Sequence, residues 1–506
     1  MDAPEAQPGR PQATASLVPR SWRLLALGLI LIPLWQCSFL WVHPSSLPSD
    51  YYCWAATGLH QESRFVYFLY YLNLFPVATE LPDRVLVYSR DGANRVFEKH
   101  GDTLVMELGH TLRFGDLGRT LLFLPAAWLK GSPEVPSVRP CNAAAFIFAL
   151  MALFASAWWV GRPVLGAILV ILLGSNPFQI FEVYVNGNIF GWSITAAMLV
   201  LALHWPLLGF RKPRGGYVWA VPVLTGLLLA TIRQVRTEPA FIALSALAAY
   251  LTMSGVRWPK RLALAGLLIA TMMGTGRAWS AYFDAKFRQA AQRVGAAGGH
   301  PYTGPRNLYH ATWFSLWCGL GDFDTKYGYQ WLDVAAGLYA MPILKQMGVD
   351  VPPWDGSTHV FQTYWDDARK YYKTPYELPH YEDVLRDKVL HDIRHDPLWY
   401  LDILLRRLWR ILWETTPASL GIGPARLSMP FPGLIFLPVV GFLLWVRNWP
   451  LVKLACFLLP LSLIAFVIFS DRGTCWYSCY HLVPAAILLT WLAQWAMARL
   501  RRRTNG

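Results

Sequence analysis

The sequence predicts an all-α, multi-pass membrane protein with about ten transmembrane helices and two ordered extracytoplasmic loops. Two observations carry this prediction. The 506 residues are 55% hydrophobic and only 15% charged, with a mean hydropathy of +0.31. In addition, the apolar residues form uninterrupted blocks close to the length of roughly 20 residues that crosses a bilayer, whereas a soluble protein would disperse them in amphipathic patterns.

Ten apolar blocks define the predicted spans. They lie at about 24–41, 142–160, 163–178, 187–208, 218–235, 238–254, 261–276, 429–446, 453–470 and 483–498. A further apolar stretch, Leu121–Trp128, is too short to span comfortably, and we interpret it as an interfacial helix.

Basic clusters determine the predicted topology. Arg10, Arg20 and Arg23 precede the first block and no small-residue cleavage site follows it, which indicates a retained anchor and a cytoplasmic N-terminus. The other clusters then all fall on the cytoplasmic side, as the positive-inside rule requires: 211–214, 257–261, 447–453 and 499–503. The net charge of +14 is therefore a topology signal, and nucleic acid is not expected as a partner.

This topology divides the chain into four parts. Residues 1–21 are expected to be a disordered cytoplasmic tail, and 22–276 a seven-helix membrane module that includes an outer loop at 43–141. Residues 277–428 form a large outer loop, and 429–506 the C-terminal membrane helices with a basic tail. Inside the large loop, Tyr381–His395 has a helical pattern, and Asp396-Pro397 is a signal that ends this helix and starts another.

Asp50 is the candidate general base. It follows the first span directly, in the polar and aromatic segment Pro48–Ala56. A carboxylate at this boundary can accept a proton from a hydroxyl that attacks a lipid-linked substrate. The alternative is that Asp50 caps a helix over Tyr51–Leu59, because Asp before an apolar run is a common N-cap.

Three arginines are candidate ligands for a phosphate group. Arg233 and Arg236 lie between two predicted spans on the outer side, and Arg472 lies in a short outer loop. A charged side chain in that position is energetically unfavourable unless it pairs with an opposite charge, and it is otherwise retained for a function. Arg236 can instead pair with Glu238 or extend towards lipid headgroups.

The run from Trp313 to Trp331 is the densest cluster of chemically useful side chains in the large loop. Its aromatic residues can stack on sugar rings, and its polar residues can bind hydroxyl or phosphate groups. The candidates for substrate binding are Asp322, Asp324, Lys326 and Tyr327. Two carboxylates two residues apart can also hold a divalent cation, but they are common in ordinary turns, so we assign no metal ligands.

Three local sequences resemble the GT-C superfamily of integral-membrane glycosyltransferases. Ser49–Ala56 is similar to its acidic first-loop motif, and Gly226–Pro239 to its pair of helices separated by an Arg and a Glu. The segment Cys479–Pro484 looks like the start of a late helix in that family, although Cys479 stands where the family usually has Arg. Val185–Asn188 also departs from the family, because many members carry an acidic residue there.

The resemblance implies an inverting transferase that moves a sugar from a polyprenyl-phosphate carrier to a hydroxyl of a lipid, glycan or protein. Asp50 would be the base, and Tyr480 and His481 would join the substrate-binding residues. A bacterial inner membrane, with the active site facing the periplasm, is expected from the same resemblance. The alternative is a non-catalytic lipid or polysaccharide transporter or assembly protein, which should show ionisable residues near the bilayer centre and matching halves.

Overall fold

A computed structural model provides the three-dimensional description. It describes residues 20–42, 84–88, 94–98, 118, 120–122, 124–125, 139–176, 180, 183, 190–211, 215–296, 312–357, 374–375, 378–413, 418–429, 432–468 and 479–504. Most of these residues are helical.

The helices are numbered in chain order. The first eight are α1 (Arg20–Leu29), α2 (Leu31–Val42), α3 (Arg139–Trp159), α4 (Pro163–Gly174), α5 (Phe190–His204), α6 (Gly215–Ile232), α7 (Ile242–Leu251) and α8 (Trp258–Ala296). The next four are α9 (Thr312–Leu320), α10 (Asp333–Gln346), α11 (Tyr381–His395) and α12 (Pro397–Trp413). The last four are α13 (Phe436–Trp445), α14 (Trp449–Ala455), α15 (Leu463–Val467) and α16 (Leu482–Thr504).

Each of the ten apolar blocks contains helix. Among the described residues, seven segments are long and apolar enough to cross a bilayer: Ser21–Phe39, Cys141–Trp159, Gly191–Leu208, Gly215–Ile232, Trp258–Gln289, Trp449–Val467 and Cys479–Leu500. Three shorter apolar helices, Pro163–Gly174, Glu238–Leu251 and Gly433–Trp445, occupy the other three blocks. The chain is therefore an integral membrane protein, and the count of ten spans stays a prediction.

Helix α8 extends beyond its predicted end. It has 39 residues, or about 58 Å at 1.5 Å per residue, which is nearly twice the thickness of a hydrocarbon core. The predicted boundary between residues 276 and 277 lies inside this helix. The hydropathy falls at this point because charged residues such as Arg277 and Asp284 follow. The Ala, Lys, Arg and Gln residues of the same segment still favour a helix.

The basic loop ends meet at one end of the bundle. The Arg211 guanidinium donates to the carbonyl oxygen of Trp159 at 2.9 Å, and Lys453 Nζ donates to that of Thr252 at 2.6 Å. Gly209 packs on Pro450. These contacts place the ends of α3, α5 and α7 and the start of α14 together, as the alternating topology requires.

Residues predicted to lie outside meet elsewhere. The Gln36 side-chain amide, in the middle of α2 and three residues before the end of the span Ser21–Phe39, exchanges hydrogen bonds of 3.2 and 2.6 Å with the backbone of Gly423. The Tyr480 hydroxyl, just before α16, donates to the carbonyl oxygen of Ile411 at 3.0 Å. The last part of the large loop is thus attached to the ends of spans that the topology assigns to the outer side.

Two short antiparallel hairpins accompany the helices and were not part of the predicted all-α fold. Strands β1 (Arg84–Tyr88) and β2 (Asn94–Glu98) pair with Arg84 opposite Glu98, and β3 (Ser419–Ile422) and β4 (Ala425–Ser428) pair with Ser419 opposite Ser428. Gly423, with a φ of +60°, begins the two-residue turn between β3 and β4. A glycine with positive φ at this point is typical of a tight hairpin.

Helices α9 to α12 form a second core outside the spans. Its centre is aromatic: the indole of Trp317 and the ring of Tyr329 are 4.6 Å apart, and Tyr329 stacks on Trp399 at 5.6 Å. As the sequence predicts, α11 ends at His395 and α12 begins at Pro397. Asp396 caps α12, because its Oδ1 accepts from the backbone N–H of Trp399 at 3.0 Å.

The topology is testable by cysteine accessibility. Gly215→Cys, at the exposed start of α6, should react with a membrane-impermeant maleimide only after the membrane is opened, whereas Ser357→Cys should react in intact cells. Ser357 is preferable to its neighbour Gly356, whose φ of +75° would strain a cysteine. Labelling of Ser357→Cys only after permeabilisation would contradict the two-outer-loop topology.

Candidate functional site

A charged turn connects α6 to a short 3₁₀ helix, Glu238–Phe241, that leads into α7. It contains Arg233, which is half-buried, and Arg236, which is only 7% exposed. The Arg236 guanidinium forms an ion pair with the Glu238 carboxylate at 2.5 Å. The pairing that the sequence left open for Arg236 is thus present. The attraction between the two charges offsets much of the free-energy cost of removing them from water.

The turn lies towards the end of the bundle that is opposite the basic loops. The 3₁₀ helix and α7 together have 14 residues, which corresponds to about 23 Å between the turn and the basic end of the bundle, in a hydrocarbon core of roughly 30 Å. The 3₁₀ helix Glu238–Phe241 also contacts a 3₁₀ segment, Leu459–Ser462, that interrupts the span Trp449–Val467. An interrupted span therefore packs beside the helix that contains Glu238.

Gly118, from the first outer loop, reaches this turn. Its backbone N–H donates to the carbonyl oxygen of Gln234 at 2.8 Å. A Cβ atom at position 118 would lie 2.6 Å from the Gln234 carbonyl carbon, so the close approach requires glycine. Gly118, which the sequence places in the first outer loop, thus lies against the charged turn. Sequence reasoning did not identify it.

A second buried charge connects the large loop to the spans. Arg407 of α12 is fully buried, and its Nη1 donates to the carbonyl oxygens of Val467 at 2.7 Å and Phe466 at 3.3 Å. Its Nε lies 3.4 Å from Asp322 Oδ2. Burial lowers the pKa of Arg407, and the Asp322 carboxylate opposes that shift. The Asp322 carboxylate therefore neutralises the charge of an arginine that holds the loop to the spans. Sequence reasoning did not single out Arg407 within α12.

Lys326 and Tyr327 bind Asp396, and Asp324 binds Trp399 beside it. Lys326 Nζ donates to Asp396 Oδ2 at 2.6 Å, and the Tyr327 hydroxyl donates to the same oxygen at 3.1 Å. Asp324 Oδ1 accepts from the backbone N–H of Lys326 at 2.8 Å, and its Oδ2 accepts from the Trp399 indole at 3.3 Å. Three of the four predicted loop residues thus form one cluster.

The electrostatics of this cluster are those of a mutual ion pair. The hydrogen bond from Lys326 lowers the pKa of the Asp396 carboxyl, and the same bond raises the pKa of Lys326. Partial desolvation raises the pKa of the Tyr327 hydroxyl, and its bond to Asp396 adds to that shift. Tyr327 also has a φ of +62°, a left-handed conformation that few non-glycine residues adopt.

The Asp322 and Asp324 carboxylates do not point to a shared site for a divalent cation in this arrangement. Their carboxylates are directed to different partners, Arg407 and Trp399 respectively. Among the described residues, no group of three or more His, Cys, Asp or Glu side chains is placed to hold a metal ion.

The aromatic residues of the loop run divide into two groups. Trp317 and Tyr329 are in the core, so they cannot stack on a sugar without unfolding, whereas Trp331 is 44% exposed. The buried rings surround the ammonium group of Lys388, which lies 5.2 Å from the centroid of Tyr329 and donates to Asp392 at 2.7 Å. This cation–π arrangement stabilises the loop core and was not predicted.

Two of the remaining predicted site residues are buried, and the other two are not described by the structure. Tyr480 and His481 are both 1% exposed, and the Tyr480 hydroxyl binds the backbone of α12. Asp50 and Arg472 lie outside the described residues.

Comparisons with models of protein families, with curated proteins and with solved structures found no match for this chain. The geometry of the charged turn and of the outer loops is therefore the basis for the function proposed below.

The Asp322–Arg407 pair should show strong coupling in a double-mutant cycle. Asp322→Asn removes the charge beside a buried guanidinium, and Arg407→Met removes the guanidinium beside a buried carboxylate, so each should destabilise the protein by roughly 3 kcal/mol. The double variant should lose less than the sum, measured by unfolding in detergent micelles. Arg406→Met, at an exposed pair with Asp402 on the same helix, is the control and should cost about 0.5 kcal/mol. Additive losses for the first pair would contradict the coupling.

The Lys326–Asp396 pair should make stability depend on pH. Because the pKa of Asp396 is lowered on folding, its stabilising effect is present above the unfolded pKa of about 3.9 and is lost as the pH falls through the folded value. Asp396→Asn keeps the cap but not the charge. Its transition temperature should therefore be lower than that of the wild type at pH 7, and the two should converge below pH ~3. Asp387→Asn, at an exposed site on α11, is the control. A difference that persists at low pH would contradict this mechanism.

Proposed function

We propose that this protein is a glycosyltransferase that moves a sugar from a polyprenyl-phosphate carrier to an acceptor hydroxyl on the non-cytoplasmic face of the membrane. The observation that carries the proposal is the charged turn at Arg233–Glu238. The Arg236 cation is almost fully buried and paired with Glu238 at the turn between two predicted spans, and an ionisable side chain in such a position marks a functional site.

The chemistry of the donor fits such a turn. As the bond from the anomeric carbon to the phosphate oxygen breaks, its electron pair stays with the polyprenyl phosphate, and negative charge grows on that oxygen. Fixed cations at this point stabilise the transition state more than the ground state. Arg233 is the proposed ligand. Arg236, which is neutralised by Glu238, is proposed to position the turn.

The acceptor reacts on the opposite face of the sugar. Its hydroxyl oxygen forms the new bond to the anomeric carbon with inversion, and its proton passes to the carboxylate of Asp50. The first outer loop carries Asp50, and Gly118 of the same loop contacts the charged turn. This connection supports placing base and leaving group in one site. The proposed mechanism does not require a divalent cation. The acceptor can be a lipid, a glycan or a protein.

The proposed setting is a bacterial inner membrane with the site facing the periplasm. A lipid or polysaccharide transporter is the alternative from the sequence. It is less supported, because the described spans α3, α5 and α6 contain no Asp, Glu, Lys or Arg between their ends, whereas a transporter should place such groups along a pathway.

Transfer assays on membranes with polyprenyl-phosphate sugar donors test the proposal. Asp50→Asn should reduce turnover by about 100-fold or more with donor binding retained, because the proton acceptor is lost. Arg233→Gln should lower kcat/KM for donor by about 10-fold to 100-fold, because a charge-assisted contact to phosphate contributes roughly 1.5–3 kcal/mol.

Arg288→Gln is the matched control for the second variant. Arg288 is an exposed cation on the part of α8 that extends beyond the predicted span, and its replacement should leave kcat/KM unchanged. Transfer at the wild-type rate by a well-inserted Asp50→Asn variant would remove Asp50 from the mechanism. Sugar export without transfer would support the transporter alternative.

A further inference from the structure

Helix α12 has two faces with opposite character. One face is buried in the protein and contains Trp399, Ile403, Arg407 and Ile411, which recur at every fourth position. The other face carries large apolar side chains that are between 40% and 75% exposed: Leu398, Leu401, Leu405, Leu408, Trp409 and Trp413. These residues form a single stripe along the helix. An exposed apolar patch of this size is uncommon on a surface that faces water.

The buried face attaches α12 to the membrane helices. Arg407 binds the carbonyl oxygens at the end of α15, and Tyr480 binds the carbonyl oxygen of Ile411 just before α16 begins. Both contacts are with the ends of spans that the topology assigns to the outer side. The helix is therefore held at the level where those spans leave the hydrocarbon core, although the sequence places it in an aqueous loop.

The span that α12 packs against also has exposed apolar side chains. Leu463 and Val467 of α15 are 37% and 43% exposed, and the carbonyl oxygen of Val467 is the one that Arg407 contacts. Side chains of this kind on a membrane span face lipid. The span end on which α12 packs thus has exposed apolar side chains of its own.

Charge and aromatic content match the interface between lipid and water. The guanidinium of Arg406, at the edge of the stripe, is about half exposed and pairs with Asp402 at 2.7 Å, so the one carboxylate close to the stripe is neutralised. Trp409 and Trp413 stack at 5.3 Å near the end of the helix. Tryptophan and arginine beside leucine are typical of helices that lie in the headgroup region.

We propose that α12 is an interfacial helix whose leucine and tryptophan stripe inserts into the outer leaflet of the membrane that the spans cross. The occupant of the stripe is lipid acyl chain. This inference does not depend on the proposed transferase activity. It means that the large outer loop is attached to the bilayer along the length of α12.

Photo-crosslinking in vesicles tests this placement. The full-length protein, with benzoylphenylalanine in place of Leu405, is reconstituted into phosphatidylethanolamine and phosphatidylglycerol vesicles that contain a lipid with an alkyne on its acyl chain. Two other positions calibrate the yield. Leu224, exposed in the middle of α6, should crosslink to lipid, and Asp387, exposed on α11, should not.

The expected lipid adduct at Leu405 is about tenfold above that at Asp387 and within about threefold of that at Leu224, because an interfacial helix buries its apolar face roughly 5–10 Å into the boundary of headgroups and acyl chains. Leu401 gives the same measurement if the Leu405 variant does not insert. A yield equal to that at Asp387 would overturn the proposal. Crosslinks from Leu405 to a second copy or to another segment of this chain would also overturn it.

Discussion

The absence of water in the hydrocarbon core governs this structure, because every backbone polar group and every charge at that depth needs a partner within the protein. Helices satisfy the backbone, so the apolar blocks are helical. Where a helix is interrupted, side chains supply the missing bonds: the Ser245 hydroxyl donates to the carbonyl oxygen of Phe457 beside the break in the span Trp449–Val467. Arg407 does the same at the end of that span, with Val467.

The same constraint gives the charged turn its significance. Arg236 and Glu238 could be replaced by apolar residues of similar size at little cost in stability, or even with a gain, since a buried ion pair seldom repays its desolvation. Their presence at the turn between two predicted spans is therefore better explained by a role in function than by stability. Under the proposed function, Arg236 and Glu238 position the turn so that Arg233 can bind the phosphate of the sugar carrier.

The large outer loop differs from a soluble domain in how it is held. Its core is built from aromatic rings around Lys388, and its polar cluster is centred on Asp396, both of which are ordinary features of a folded domain. Its last helix, however, binds span ends through Arg407 and Tyr480. Substitutions at Asp322 therefore act on the junction between loop and membrane, in addition to any effect on a ligand.

The sequence by itself determined which segments are helical in the membrane, and which of their ends carry positive charge. Both follow from composition along the chain, since hydropathy over roughly 20 residues and the distribution of Lys and Arg are local properties. It also located the end of α11 and the start of α12, because Asp396-Pro397 is a local signal. The sequence did not predict the extension of α8 past residue 276, because the hydropathy falls there while the helix propensity of the residues stays high.

Only the tertiary structure decided which charges meet. Asp322 and Arg407 are far apart in the chain, and no periodicity connects them, yet folding buries them as a pair. The contact of Gly118 with Gln234 is likewise a property of packing. The sequence brought Asp324, Lys326 and Tyr327 forward as a group because they are neighbours, but their partners Asp396 and Trp399 lie far along the chain. Long-range partners of this kind are set by how helices dock, and single-sequence patterns carry no record of that docking.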